Sequence, residues 1–370
     1  MLPSALIKTR PRVNLGTWPT PLEPMKNLRE ALGGPKKCPQ LWVKHEDLVG
    51  LAGGGNKVRK LECIMAHAQS LGANTIINTG GVQSNQIRQT AGAAARMGMD
   101  CHLLLTRQPT LITPNYEHTG NILVCRMLGA HIHFIEHNCD REAAMKALAA
   151  ELRDQGKTPY VIPVGASSPE GILGSAMCGE EMHDQAREIG FFLDVVVVTV
   201  GSAGTCAGIF AGIHAAQLAR QDSQKPPRAI RVIGVDVLGQ AHVDSPEERL
   251  YKHICEACEA LKTEIPRDAL RRNDAFRSLP WESTWTGPKL EITGAYAGPG
   301  YARPYPEMVE AIELTARSEG ILLDPIYTGK TMAALIAAIR TGFFHPSENV
   351  VFLHSGGQFS IFAYAELFDK

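Results

Sequence analysis

The sequence predicts an α/β protein made of two open parallel-sheet domains. Short apolar strand candidates alternate with amphipathic helices over most of the chain, which implies right-handed crossovers. The run from Val195 to Val200 is almost purely β-branched, as suits a central parallel strand covered on both faces. Small-residue loops join strand ends to helix starts, where open α/β sheets bind ligands.

Taken in order, the first forty residues are rich in Pro, Gly and Lys and read as irregular. Leu41 to Lys44 is a short strand candidate, Leu51 to Gly55 a glycine-rich loop with Asn56 as helix cap. Lys57 to Leu71 is a helix with apolar positions at Val58, Leu61, Ile64 and Met65. Strands follow at 75–78, 101–106, 131–135 and 159–164, with helices at 85–97, 121–128 and 141–155 between them. Thr79-Gly80-Gly81 reads as a turn. After Val195 to Val200 come a small-residue helix to Leu218, a strand at 230–237, helices at 306–319 and 331–340, and a last strand at 350–354. Residues 240–290 are charged, partly helical and the least readable.

Bulk composition narrows the function. The chain has 370 residues, 44% apolar and 20% charged, enough for a core and against disorder. Lys plus Arg number 37 against 38 Asp plus Glu, so no net charge favours nucleic acid or an anionic membrane. Nine irregularly spaced cysteines do not suggest a disulfide framework, the N-terminus lacks a secretion pattern, and no apolar stretch would span a bilayer. A cytoplasmic setting is expected.

Three motifs carry chemistry. In Gly53-Gly54-Gly55-Asn56-Lys57 a lysine opens a helix, where the helix dipole favours a neutral amine or one consumed in an imine. The bland alternative is a solvated lysine beside a glycine turn. Thr79 to Gln86 follows a strand end; its glycines, Ser84, Asn85 and Gln86 offer donors to a carboxylate, or simply an N-cap. Gly201-Ser202-Ala203-Gly204-Thr205, between a strand and a helix, is an anion cradle suited to phosphate. With Asp236 at the next strand end it also imitates half of a dinucleotide site. Gly329-Lys330-Thr331 lacks the upstream glycine of a phosphate loop, and Cys255-x-x-Cys258 has no second pair for zinc, so no metal is expected.

These stretches, with Thr20-Pro21-Leu22, Gly120-Asn121, 319–330 and His354-Ser355-Gly356-Gly357, resemble the 1-aminocyclopropane-1-carboxylate deaminase and D-cysteine desulfhydrase family. That family has the tryptophan-synthase-β-like fold of pyridoxal 5'-phosphate (PLP) enzymes. The likeness covers nearly the whole chain and fails mainly at 240–290. It implies a small domain at about 60–175 inserted in a large one formed by 1–59 and 176–370, with PLP in the cleft between them and a homodimer as the assembly. It implies that Lys57 holds PLP as a Schiff base and shuttles the α-proton. Asn85 would bond the cofactor's 3′-oxygen, and Ser84, Asn85 and Gln86 the substrate carboxylate, with Ser84 also a candidate base. Gly201, Ser202, Ala203, Gly204 and Thr205 would cup the phosphate. Tyr301 and Tyr327 match the two active-site tyrosines, and Thr328 and Ser355 the positions beside the pyridine ring.

Those last two positions choose the member. Cyclopropane-opening deaminases resemble D-P-V-Y-E-G-K, with an acid facing the pyridine nitrogen, and carry leucine after the histidine of the last strand. Here Thr328 and Ser355 stand there, as in D-cysteine desulfhydrases and cysteate sulfo-lyases. A hydroxyl leaves the pyridine neutral more easily, a weaker electron sink that favours prompt β-elimination. The expected activity is D-cysteine desulfhydration to pyruvate, ammonia and sulfide, with L-cysteate sulfo-lyase or 1-aminocyclopropane-1-carboxylate deaminase as alternatives. Two readings from other classes are a nicotinamide-dinucleotide oxidoreductase using Asp236 and a non-catalytic PLP-binding protein. His45, 165–168, Ser175 and 358–360 depart from the family pattern.

Overall fold

The computed structural model describes residues 2–107, 115–220, 229–239, 245–277, 280–281 and 283–369. Its strands are β1 (Leu22–Pro24), β2 (Gln40–His45), β3 (Thr75–Gly81), β4 (Asp100–Thr106), β5 (His131–Ile135) and β6 (Pro159–Val161). They continue with β7 (Val195–Val200), β8 (Arg231–Asp236), β9 (Leu270–Arg272), β10 (Lys289–Thr293) and β11 (Asn349–His354). One sheet runs β1-β2-β11-β7-β8-β10-β9, the other β5-β4-β3-β6. Every pairing is parallel except β1 with β2.

The helices are α1 (Pro3–Lys8), α2 (Lys26–Ala31), α3 (Lys57–Ser70), α4 (Asn85–Arg96), α5 (Gly120–Met127) and α6 (Arg141–Asp154). After them come α7 (Pro169–Ile189), α8 (Gly204–Ala219), α9 (Pro246–Leu261), α10 (Pro306–Glu319) and α11 (Thr328–Arg340). Val195, Val196, Val197 and Val198 of β7 are buried, the even pair against α7, α8 and α9 and the odd pair against α2, α10 and α11. Alternating side chains thus feed two cores, as a doubly covered strand must. Helices α7 and α8 pack closely because glycines line their contact: a Cβ on Gly212 would stand 2.0 Å from the Ala176 carbonyl oxygen. Among the described residues no helix is long and apolar enough to cross a membrane.

The structure corrects several expectations. Thr79, Gly80 and Gly81 complete β3 rather than turning, because β4 pairs with them as far as Thr106. The first forty residues contain α1, β1 and α2. The 240–290 stretch supplies α9, β9 and most of the edge formed with β10; its residues 240–244, 278–279 and 282 lie outside the described residues. Helix α7, between β6 and β7, has no counterpart in the sequence reading.

Candidate active site

The C-terminal ends of β3 and β7 face one cavity of about 160 Å³, into which the starts of α3, α4 and α8 converge. The lysine arrives on a strained approach. Gly53, Gly54 and Gly55 have φ of +81°, +78° and +130°. A Cβ on Gly54 would fall 1.7 Å from the Asp47 carbonyl oxygen, so only glycine fits. The Gly55 N–H donates to the Glu46 carbonyl at 2.9 Å, and the Asn56 N–H to the Ser355 carbonyl at 3.1 Å. Asn56 makes no side-chain cap; its amide donates to Thr205 Oγ1 at 2.8 Å and ties this loop to the start of α8. Lys57 Nζ lies 3.4 Å from the same Thr205 oxygen. Burial lowers its pKa to about 8, the direction a proton shuttle needs.

The loop after β7 forms the cradle. Ala203 adopts φ +69°, and Gly204 opens the sixteen-residue α8 with its N–H groups toward the cavity end. The Ser202 and Ser167 hydroxyls are 2.9 Å apart. Lys60, not singled out from sequence, is fully buried beside them: Nζ donates to the Gly165 carbonyl at 3.1 Å and Ser167 Oγ at 3.3 Å. A Cβ on Gly204 would stand 2.9 Å from that Nζ. Burial, then the charge of Lys57, drives the Lys60 pKa well down. Among the described residues no carboxylate pairs with either lysine, so this corner lacks negative charge. A phosphate dianion fits that deficit. The available signal was the i, i+3 spacing of Lys57 and Lys60, which puts both on one helix face.

The opposite wall is polar. Ser84 caps α4, its Oγ accepting from the Gln86 N–H at 3.3 Å. Gln86 Nε2 donates to the Pro163 carbonyl at 3.2 Å, and Asn85 Oδ1 accepts from Asn121 Nδ2 at 3.3 Å. The Tyr301 and Tyr327 hydroxyls are 2.7 Å apart, and Ser84 stands against the latter. Burial raises both tyrosine pKa values, that of Tyr327 strongly, so both are neutral donors. Asp324 fixes Tyr327: its buried carboxyl accepts from the N–H groups of Ile326, Tyr327 and Thr328 at 2.8, 2.7 and 2.9 Å.

Lys57, Ser84, Asn85, Gln86, Gly201, Ser202, Ala203, Thr205, Tyr301, Tyr327 and Ser355 all line the cavity. Gly204 and Thr328 do not. The Thr328 hydroxyl is turned into the protein, where it donates to Asp324 Oδ2 at 2.6 Å and accepts from the Asp324 N–H at 2.8 Å. Two basic residues that sequence reasoning passed over, His137 and Arg141, complete the wall, and no Asp or Glu among the described residues belongs to it. Asp236 cannot serve a ribose as imagined: its carboxylate accepts from Arg249 Nη2 at 2.8 Å and from the Gly239 N–H at 3.1 Å.

A family profile described as pyridoxal-phosphate dependent enzyme matches residues 13–356. The chain belongs to this family. Its cofactor is therefore PLP, and the lysine pair, the α8 start and the serines are the groups available to hold it. Among curated relatives, a 1-aminocyclopropane-1-carboxylate deaminase of Burkholderia ambifaria is 38% identical over 362 residues, covering 96% of this chain and 97% of the relative. One of Burkholderia vietnamiensis with the same name is 37% identical over 363 residues, with 97% of each covered. The solved structure of an ACC deaminase homologue superposes with TM-score 0.79 at 30% identity, covering 99% of this chain and 98% of the other. Threonine deaminase isoform 2 of Solanum lycopersicum, at 15% identity and TM-score 0.61 over 99% and 86% of the chains, shares the PLP-enzyme fold.

Proposed function

We propose that this PLP-dependent enzyme deaminates a small α-amino acid to a 2-oxo acid and ammonia, with 1-aminocyclopropane-1-carboxylate as first substrate. One observation carries the reading: Lys57 Nζ stands 3.4 Å from Thr205 Oγ1, at the mouth of the anion cradle. The names of the relatives favour the cyclopropane substrate. This reverses the order that Thr328 and Ser355 suggest by themselves.

When bound, PLP supplies an electron sink for the substrate's α-carbon. Lys57, with its pKa lowered to about 8, accepts and returns a proton there or at the adjacent carbon. Ser84, Asn85 and Gln86 hold the substrate carboxylate at the α4 start. Tyr301 and Tyr327, neutral and hydrogen-bonded to one another, orient the reacting carbons and exclude water. Asn85 would hold the cofactor's ring oxygen and Gly201 to Thr205 with Lys60 its phosphate, and Ser355 lines the same cavity. Thr328 acts through Asp324 on the placement of Tyr327. The sheet β5-β4-β3-β6 belongs to a small domain of about residues 60–175 inserted in the rest. The protein works as a cytoplasmic homodimer.

A second reading, D-cysteine desulfhydration, is favoured by the absence of an acid at position 328 and of leucine at 355. Holoenzyme is given each substrate: 2-oxobutyrate from the cyclopropane acid supports the first reading, and pyruvate with sulfide from D-cysteine alone replaces it with the second. Failure of borohydride to fix pyridoxyl on Lys57 would sink both.

A further inference from the structure

The lysine of Gly329-Lys330-Thr331 does not line the cavity, yet it is fully buried close behind it. It stands on α11, three residues after Tyr327, which caps that helix. Its Nζ donates to the carbonyl oxygens of Ala297 and Gly300, each at 2.6 Å. Both carbonyls belong to the loop 294–305 that joins β10 to α10, and Gly300 directly precedes Tyr301. An ammonium has three donors and can hold two carbonyls at once; an apolar side chain of the same length holds neither.

The loop needs such a hold. Gly298, Gly300 and Ala302 have φ of +64°, +129° and +61°. A left-handed alanine persists only where its surroundings fix it. The fixing groups flank Tyr301 on both sides. Lys330 holds the chain before it, and the Tyr364 hydroxyl donates to the Ala302 carbonyl after it at 2.8 Å. Between these two clamps Tyr301 reaches the end of β3, where a Cβ on Gly81 would stand 3.1 Å from its hydroxyl. There it meets the Tyr327 hydroxyl at 2.7 Å. Helix α11 thus places Tyr327 directly and Tyr301 through Lys330.

We propose that Lys330 is the positioning residue for Tyr301: with Tyr364 on the far side, it locks the turn 297–302 so that the Tyr301 hydroxyl meets Tyr327 inside the cavity. The proposal rests on the part that the deaminase reading gives to Tyr301. Lys330 touches neither substrate nor cofactor, so its loss acts on turnover through a displaced tyrosine. A displacement of about 1 Å at a reacting centre costs up to about a hundredfold in rate.

A double-mutant cycle tests it. Release of the 2-oxo acid is measured for wild-type holoenzyme, Lys330→Met, Tyr301→Phe and the double variant. Tyr364→Phe is taken through the same cycle. Lys330→Met should lower kcat/KM about ten- to hundredfold and Tyr364→Phe about two- to tenfold, with PLP affinity as in wild type. In the Tyr301→Phe background each change should cost less than about threefold, while Tm falls as much as it does beside Tyr301. Equal losses of kcat/KM in both backgrounds would overturn the proposal, since Lys330 would then support the fold at large. Unchanged turnover in Lys330→Met would overturn it too. If Lys330→Met does not fold, Lys330→Gln, which keeps an amide donor, takes its place in the cycle, and failure of that variant to fold also counts against the proposal. Tyr301→Phe with wild-type activity would instead remove the part given to Tyr301, and turnover of no amino acid by a PLP-loaded wild type would sink the deaminase reading itself.

Discussion

Within its first turn, helix α3 carries two kinds of cation, Arg59 and Lys60 buried and Lys57 half-buried. Arg59 points to a network in which Nε and Nη2 donate to Glu46 at 2.7 and 2.9 Å, and Nη2 also to Glu181 at 2.7 Å. Lys44 joins the same Glu181 carboxylate. Lys57 and Lys60, on the other face, touch only hydroxyl and carbonyl oxygens. Burial opposes the charge in both regions. Glu46 and Glu181 overcome it for Arg59, whose pKa stands well above the ordinary value, whereas nothing overcomes it for the lysines, whose pKa values fall. A buried charge already paired is structural; one left unpaired awaits an anion or acts as a base.

The sharpest test of that contrast is Lys57→Ala. Losing the proton carrier should cut kcat by about 10²- to 10⁴-fold while Tm changes little. Comparable losses in both would place Lys57 with Arg59 as a structural group. The converse change, Glu46→Gln or Arg59→Met, leaves a buried charge or carboxylate without its partner. It should destabilise the fold by about 3–5 kcal/mol, read by denaturant unfolding. Any molecules that remain folded should keep kcat. A third variant, Lys60→Gln, removes one charge-assisted contact to phosphate, worth about 1.5–3 kcal/mol. PLP affinity should fall about ten- to hundredfold in a cofactor titration, with kcat at saturating PLP less affected. Unchanged affinity would mean that the cradle works through backbone N–H groups alone.

How much of this was legible depended on whether the signal was local. The boundaries of β5, β7 and α10 follow from side-chain type alone, because β-branched runs and a Pro-led amphipathic helix need no partner to be recognised. Helix α7 was illegible. Gly171, Gly174 and Gly179 weaken its propensity, yet each is needed for contact with the Ala166, Arg59 or Ile209 backbone. Tertiary packing overrides propensity there. In the site, Lys57, Ser84 and Gly201 to Thr205 were readable as motifs. Lys60 was not, since sequence shows its spacing but not the missing carboxylate. Arg141 reads as an ordinary solvated residue at a helix start. Thr328 shows the reverse failure: its place beside Tyr327 suggests the cavity, but Asp324 captures its hydroxyl.

The smallest expected effect is on pH dependence, and it separates the two faces of α3 without any substrate. With PLP removed, the folded Lys57 amine holds its proton only below about pH 8, whereas the unfolded chain holds it to the ordinary 10.5. Between those values the unfolded state binds more protons, so unfolding free energy rises with pH. Below pH 8 both states are protonated and the full cost of burying the charge is present. Lys330, also lowered to about 8 by burial, adds a slope of the same sign. The thiols of Cys38, Cys63, Cys101, Cys125, Cys178, Cys206 and Cys258, raised by burial above the ordinary 9.0, add the opposite slope from about pH 9, and Tyr301 and Tyr327 add to it from about pH 10. The contribution of Lys57 is therefore read as a difference: between pH 8 and pH 10 the denaturant midpoint of the PLP-free wild type should gain on that of Lys57→Met. Arg59→Lys gives the control: a cation paired to Glu46 and Glu181 keeps its proton throughout this range and leaves the slope as it was. If Lys57→Met leaves the slope unchanged, water in the open cavity solvates its ammonium well enough to erase the distinction between the two faces.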